Sequence, residues 1–184
     1  ALMANVQFPF TFNTIAYANV LRHCTIDQST RLVTASASAT LNFANSIFAQ
    51  VTSLTSGPAS LSGNNNGFSP TIQFGNTSTR WAAAYPPFQV NGLGAHYLKS
   101  DSVFRGKGTT GVGSTLLNAF KAKSTQPPID FPQLMRISGE LALFPQIPRY
   151  VSGAPDLGYW YDVLDYTVAA MRVDGGSIVV MPGT

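Results

Sequence analysis

A glycine-rich segment at residues 104–111 has the spacing closest to a known phosphate-binding motif. It contains the G-x-G-x-x-G pattern, after a predicted strand and before a predicted helix, and Asp130 lies near the position of a ribose-binding acid. A dinucleotide site also needs a second parallel strand after the helix, and Pro127-Pro128 interrupts the chain there. A P-loop lysine is missing because Ser114 stands at its position. The motif therefore predicts a structural glycine loop.

Five basic residues in and around this loop form the one loose group of positive charge in the sequence. A helix N-terminus and exposed amides beside them would favour an anion such as a nucleic-acid phosphate. The net charge of +3 permits contact with nucleic acid without demanding it. An ordinary solvated surface is the alternative. The predicted nucleic-acid-binding residues are Lys99, Arg105, Lys107, Lys121 and Lys123.

Nucleophilic and metal-binding residues do not form a recognisable catalytic pattern. His23 and His96 are far apart and belong to no metal-binding motif, and the single cysteine, Cys24, excludes an internal disulfide. Cys24 and His23 are adjacent, so on a strand they would face opposite sides. We therefore expect no catalytic residue, no metal, no cofactor and no enzymatic activity.

Acidic and aromatic residues offer two further candidate sites. Asp156, Asp162 and Asp165 form the one acidic group, but no loop rich in oxygen ligands encloses them, which favours surface acids over a calcium site. Six aromatic residues would form a sugar-stacking platform if they shared an exposed face, although core and interface positions are commoner for such residues. They are Trp81, Tyr85, Tyr159, Trp160, Tyr161 and Tyr166.

Charge is scarce along the whole chain. Only 10% of the 184 residues are charged, against about 25% in an ordinary soluble domain, and Glu140 is the only glutamate. This composition excludes a coiled coil and a charge-rich disordered tail, and no apolar run is long enough to predict a membrane-spanning helix. Because unpaired charge is costly at a buried interface, a subunit covered by copies of itself loses charged positions.

Short apolar or alternating stretches between Gly, Pro, Asn and Ser clusters predict about eight strands and one helix. Pro9 places the strand at residues 6–12 at a sheet edge, and residues 114–123 are the predicted helix. Residues 55–69 are predicted as an exposed loop. Residues 159–173 fit a helix face or a strand, and their β-branched content favours the strand. The other predicted strands are residues 32–41, 47–54, 71–74, 79–85, 95–104, 134–144 and 177–181.

The order of these elements predicts an all-β fold. Strand and helix units do not alternate, and no internal repeat of 20 to 50 residues is evident in the sequence. Turn signals between short strands indicate an antiparallel β-sandwich, specifically an eight-stranded jelly roll with one or two short helices in its loops. We expect a single jelly-roll domain over residues 1–184.

The chain resembles the single jelly-roll capsid proteins of small icosahedral plus-strand RNA viruses in size, composition and strand number. Residues 134–148 (LMRISGELALFPQIP) are similar in style to strands of tymovirus coat proteins, and residues 158–173 resemble a late aromatic strand of related shells. The resemblance implies a virion protein that self-assembles into an icosahedral shell around the genome. Its expected partners are copies of itself and viral genomic RNA, without a membrane. The alternative is a carbohydrate-binding or adhesin-type β-sandwich from a phage tail or a secreted protein.

Overall fold

The computed structural model of this protein describes residues 2–4, 8–10, 19–36, 38–91, 94–131 and 134–184. Short β-strands dominate these residues, which confirms the all-β class. The helix of this described part, α1 (Ser114–Phe120), confirms the predicted helix, although residues 121–123 lie beyond its end. Within the same ranges, no helix is long and apolar enough to cross a membrane.

The strands are numbered in chain order as follows: β1 (Leu2–Ala4), β2 (Phe8–Phe10), β3 (Asn19–Arg22), β4 (Thr25–Asp27), β5 (Arg31–Ala35), β6 (Ala39–Ala44), β7 (Ile47–Ala49), β8 (Ser53–Ser56), β9 (Ala59–Asn64), β10 (Gly67–Ser69), β11 (Thr79–Arg80), β12 (Phe88–Asn91), β13 (Gly94–Leu98), β14 (Lys123–Ser124), β15 (Ile129–Phe131), β16 (Met135–Ile137), β17 (Glu140–Leu143), β18 (Tyr161–Asp162), β19 (Tyr166–Val168), β20 (Met171–Val173) and β21 (Ser177–Val180).

The first eleven strands form three parallel sheets, which are the three faces of a winding coil. The first face is β3-β6-β9, the second is β1-β4-β7-β10-β11 and the third is β2-β5-β8. Asn19 pairs with Leu41 and Leu41 pairs with Leu61, so equivalent positions lie 22 and then 20 residues apart. From β3 to β8 each turn of the coil therefore visits the three faces in order, and β9 and β10 stack on the first two faces of the turn before them.

The predicted antiparallel jelly roll is wrong for these sheets, because their strands pair in parallel. Antiparallel pairing within the described residues occurs at β12–β13 and β14–β18. No repeat is evident in the sequence, yet the structure repeats after 22 and then 20 residues in this coil. The prediction of an exposed loop at residues 55–69 is wrong, because they contain the end of β8 and all of β9 and β10. Of the strand predicted at residues 6–12, residues 6, 7, 11 and 12 lie outside the described residues, and the described part is β2, an outer strand of its sheet, as Pro9 indicates.

Apolar side chains from successive turns fill the inside of the coil. Ile26, Phe48 and Phe68 occupy equivalent positions on β4, β7 and β10, and all three are fully buried. The rings of Phe48 and Phe68 stack with their centroids 5.4 Å apart. Full burial of each such side chain contributes about 1.5–3 kcal/mol, so this column holds the turns together.

Single residues with positive φ make the corners of the coil. His23, Asn45 and Asn65 occupy the corner between the first and second faces in successive turns, with φ of 50°, 55° and 53°. Asparagine tolerates this left-handed conformation better than most residues. The neighbouring Asn66 links two turns, because its Oδ1 accepts from the N–H of Ser46 and its Nδ2 donates to the Phe43 carbonyl.

The outer side of the second face is covered by the middle of the chain. Ile47 and Ala49 of β7 pack there in a buried cluster with Trp81, Phe104 and Leu157. Phe104 reaches the sheet at Gly67, where an added Cβ would lie only 2.8 Å from a ring carbon. This contact places the glycine loop and the segment around residue 157 against the coil.

Residues 129–180 form two further stacked turns. β15, β16 and β17 pair in parallel with β19, β20 and β21, and the paired residues are 37, 36 and 37 positions apart. The predicted strands at residues 134–144 and 177–181 are thus present as β16, β17 and β21. The ambiguous residues 159–173 contain β18, β19 and β20, which confirms the strand interpretation.

We expect Phe48→Ala to lower the free energy of unfolding by about 3–5 kcal/mol, because it opens a cavity in the buried column. Urea denaturation followed by circular dichroism measures this loss. Ile72→Ala is the control, since Ile72 is 68% exposed and its loss should change stability by no more than about 0.5 kcal/mol. Equal losses in the two variants would contradict the stacked-coil core.

Candidate functional site

One buried asparagine fixes the glycine loop to the coil. The Nδ2 of Asn45 donates to the Thr109 carbonyl and its Oδ1 accepts from the Thr109 N–H, both at 2.8 Å. The N–H of Gly108 donates to the Pro155 carbonyl at 2.7 Å, and a side chain at Gly108 would meet that carbonyl. The loop amides at Gly106, Gly108 and Thr109 are therefore occupied by protein acceptors and do not face a phosphate.

His23 lies beside this asparagine as a neutral side chain. It is 3% exposed, and burial lowers its pKa to about 3. Its Nε2 is 2.8 Å from Asn45 Nδ2, which makes Nε2 the nitrogen that accepts a hydrogen bond. The ring also meets Phe120 edge-on at 4.5 Å and Trp160 at 6.4 Å. His23 therefore connects the coil to helix α1 and to the segment near residue 160.

Arg105, one of the predicted phosphate ligands, has a structural environment. Its Nη1 donates to Asp156 Oδ2 at 3.1 Å and to Thr125 Oγ1 at 3.2 Å. Its Nε and Nη2 donate to the carbonyls of Lys99 and Leu98. Burial lowers the pKa of the guanidinium, and the neighbouring Asp156 carboxylate opposes that shift. The side chain thus ties three segments together.

The other four predicted basic residues fall into two groups. Lys123 pairs with Asp162 at 2.5 Å, and the Lys99 ammonium lies 4.0 Å from the centroid of the Tyr85 ring. Lys107 and Lys121 are exposed, and within the described ranges neither forms an ion pair. Contact with nucleic acid stays a prediction, and these two lysines are the cations best placed to make it.

The acidic group is divided among separate cations. Asp156 pairs with Arg105, Asp162 with Lys123, and Asp165 with Arg149. Asp165 is buried and also accepts from two backbone N–H groups at 2.6 Å. No group of three His, Cys, Asp or Glu residues that could hold a metal ion occurs in the part of the chain that the structure describes.

The six predicted aromatic residues do not form one platform. They are distributed over separate contacts, and two of them, Trp81 and Trp160, are buried. The contacts are Trp81 with Tyr85, Tyr161 with Tyr97 and Tyr159, Tyr166 with Phe131, and Trp160 with Phe120. The fold therefore does not bring these six residues together into one sugar-stacking surface.

Trp160 instead forms one wall of a polar cleft of about 280 Å³. The other walls are residues 124–126, 148–152 and 154–156, which come from three separate segments. Sequence reasoning singled out Trp160 and Asp156 but missed Gln126, Arg149 and Tyr150. No spacing in the sequence indicates this group, because only the fold brings the three segments together.

A second candidate surface lies on the last of the C-terminal turns. This last layer, or rung, consists of β19, β20 and β21. Its apolar side remains exposed, whereas the paired residues of the preceding rung, such as Ile137 and Leu143, are buried. We call this the end-rung surface. It consists of Val168, Val173, Ile178 and Val180, which are 46%, 45%, 38% and 61% exposed.

Comparison of the chain with protein-family models, with curated proteins and with solved structures gives no match. The resemblance to capsid proteins therefore stays a prediction from the sequence, and the two surfaces must be interpreted from their own chemistry.

The lowered pKa of His23 predicts that the protein loses stability in mild acid. Below pH 6.5 the unfolded chain protonates this histidine, whereas the folded protein resists until about pH 3. The free energy of unfolding should therefore rise with pH between 3 and 6.5, by up to about 1.4 kcal/mol per pH unit from this residue. Urea denaturation at pH 4 to 7.5 measures the slope.

The matched variant for this experiment is His23→Asn, because asparagine occupies the equivalent corner in the next two turns. All other titrating groups are shared with the parent protein, so the difference between the two slopes isolates His23. A shallower slope in the variant is expected. Identical slopes in the two proteins would show that His23 does not control the acid response.

Proposed function

We propose that the protein is a structural subunit that associates with copies of itself, as expected for a virion protein of this composition. The end-rung surface carries the proposal. Its four aliphatic side chains are exposed on three consecutive strands, which within the described residues pair only with strands of the preceding turn. The whole of β21 (Ser177–Val180) is exposed without a single charged residue. Sheet edges of monomeric proteins are usually protected by charge, proline or a covering element.

Burial of this surface would supply a substantial driving force. Each Val or Ile side chain gains about 1.5–3 kcal/mol when it passes from full exposure to full burial. The gain here is smaller because the side chains are already half-buried, but it applies on both sides of a contact between two copies. The outer strand also offers unpaired backbone groups, which a second β-edge can satisfy.

A second copy fits this surface because a symmetric contact places apolar residues opposite the same apolar residues. Two-fold contacts of this kind are the commonest in homo-oligomers. The nearby charges are partly neutralised, since Asp174 binds both Arg136 and Arg172. Only 10% of the whole chain is charged, which also supports a surface that is covered in the assembled state.

The form of the assembly is a separate question from self-association. The resemblance to jelly-roll capsid proteins predicts an icosahedral shell. The described sheets are parallel coils, so they do not support that shell through a jelly-roll architecture. The proposal therefore rests on the exposed apolar rung and on the composition. Enclosure of an RNA genome, with Lys107 and Lys121 as phosphate contacts, stays a prediction.

We expect the protein to form oligomers whose size depends on concentration. Val180→Lys should weaken this association at least about tenfold, because it places a charge in the buried contact. Light scattering coupled to size-exclusion chromatography measures the mass, and electron microscopy shows whether particles are closed. The control is Val90→Lys, because Val90 is 79% exposed on β12 and lies outside the end-rung surface. A parent protein that stays monomeric up to about 100 µM, or an equal effect of both variants, would refute the proposal.

If the assembled particles hold RNA, replacing both Lys107 and Lys121 by Ala should reduce the RNA retained per particle. It should also make RNA retention less sensitive to salt, because two phosphate contacts are lost. The ratio of absorbance at 260 and 280 nm in purified particles measures the content. The control replaces Arg22 and Arg31, two exposed arginines of the coil, by Ala. Unchanged RNA content after loss of the two lysines would count against their role.

A further inference from the structure

The cleft beside Trp160 is rigid before any ligand enters. The indole stacks on Phe120 with a centroid distance of 4.6 Å and an interplanar angle of 12°, and its Nε1 donates to the Asp156 carbonyl. Tyr150 stands perpendicular to the indole at 5.8 Å, and its hydroxyl donates to the Gly153 carbonyl at 2.8 Å. Both aromatic walls are thus held by contacts within the protein, so binding would not have to order them.

The ionic groups that line the cleft are already paired. The Asp156 carboxylate accepts from the Gly106 N–H at 2.7 Å, from Arg105 at 3.1 Å and from the Thr125 hydroxyl at 2.5 Å. The Nη2 of Arg149 donates to Asp165 at 3.4 Å and to the Gly183 carbonyl at 2.8 Å. The cleft therefore has no uncompensated charge that would select an ion.

Several hydrogen-bonding groups of the residues that line the cleft have no protein partner within the described ranges. They are the side-chain amide of Gln126, the Nε and Nη1 groups of Arg149 and the hydroxyl of Ser152. Together they supply donors and acceptors beside the half-buried ring of Tyr150. A ligand that matches them donates and accepts hydrogen bonds and presents an apolar face, and the pairing of Asp156 and Arg149 with other charged groups favours an uncharged one.

We propose that this cleft binds a neutral saccharide. Sugar hydroxyls both donate and accept hydrogen bonds, and the C–H face of a sugar ring packs against an aromatic side chain. A volume of about 280 Å³ lies just below the range of about 300–1,000 Å³ that is usual for ligand sites, which suits a mono- or disaccharide unit. The site is separate from the end-rung surface, so either proposal can fail alone.

The test is NMR titration of the full chain with neutral di- and trisaccharides of glucose, galactose and mannose, and with the corresponding uronic-acid sugars. We expect at least one neutral sugar to shift resonances of the cleft residues, with a Kd on the order of 0.1–10 mM. Tyr150→Ala and Gln126→Ala should each weaken that binding at least about fivefold, because each removes a direct contact. Gln126→Ala is the safer variant, since its side chain makes no hydrogen bond within the described part of the chain.

Tyr85→Ala is the matched control, because Tyr85 is a tyrosine that solvent reaches, like Tyr150, but it lies outside the cleft. It should leave the Kd unchanged, and near-ultraviolet circular dichroism checks the fold of every variant. The proposal is overturned if no neutral sugar binds at about 50 mM, if only the uronic-acid sugars bind, or if Tyr85→Ala weakens binding as much as Gln126→Ala.

Discussion

The junction at Asn45 is the constraint on which the rest of this structure depends. Its backbone makes a corner of the coil, its carbonyl accepts from the N–H of Gly158, and its side chain binds both polar backbone groups of Thr109. The residue is completely buried. Any replacement without both a donor and an acceptor would leave buried backbone groups of Thr109 unsatisfied, which costs about 1–3 kcal/mol for each group. The coil, the glycine loop and the segment that leads to Trp160 are therefore fixed at one point.

This junction also explains why the cleft and the acid response are related. His23 must stay neutral because its Nε2 faces the Nδ2 donor of Asn45, and a protonated ring would lose that hydrogen bond. The same ring packs against Trp160, which forms one wall of the cleft, and against Phe120, which stacks on Trp160. In mild acid, protonation of His23 therefore stabilises the unfolded chain relative to the folded state in which this packing shapes the cleft.

The sequence predicted the strand content and helix α1 but not the direction of strand pairing. Ile26, Phe48 and Phe68 are equivalent in the coil, yet the residue type changes once and the spacing changes from 22 to 20 residues. No repeat is therefore evident in the sequence. Gly57 and Asn65 do adopt the positive φ that turn signals indicate. Each of them is a single-residue corner between strands, and this is why residues 55–69 were mistaken for a loop.

The candidate site was harder to predict because its charged side chains pair with one another inside the molecule. Arg105 and Asp156 are 51 residues apart, so nothing in the sequence marks them as partners. Counting only contacts within the described ranges, five of the eight acidic residues lie within ion-pair distance of a basic side chain: Asp27, Asp156, Asp162, Asp165 and Asp174. A chain with few charges that pairs most of its acids internally presents a surface of hydroxyl, amide and aliphatic groups. Such a surface favours neutral ligands and contacts between like subunits over recognition by long-range electrostatics, because there is little net field to steer a charged partner.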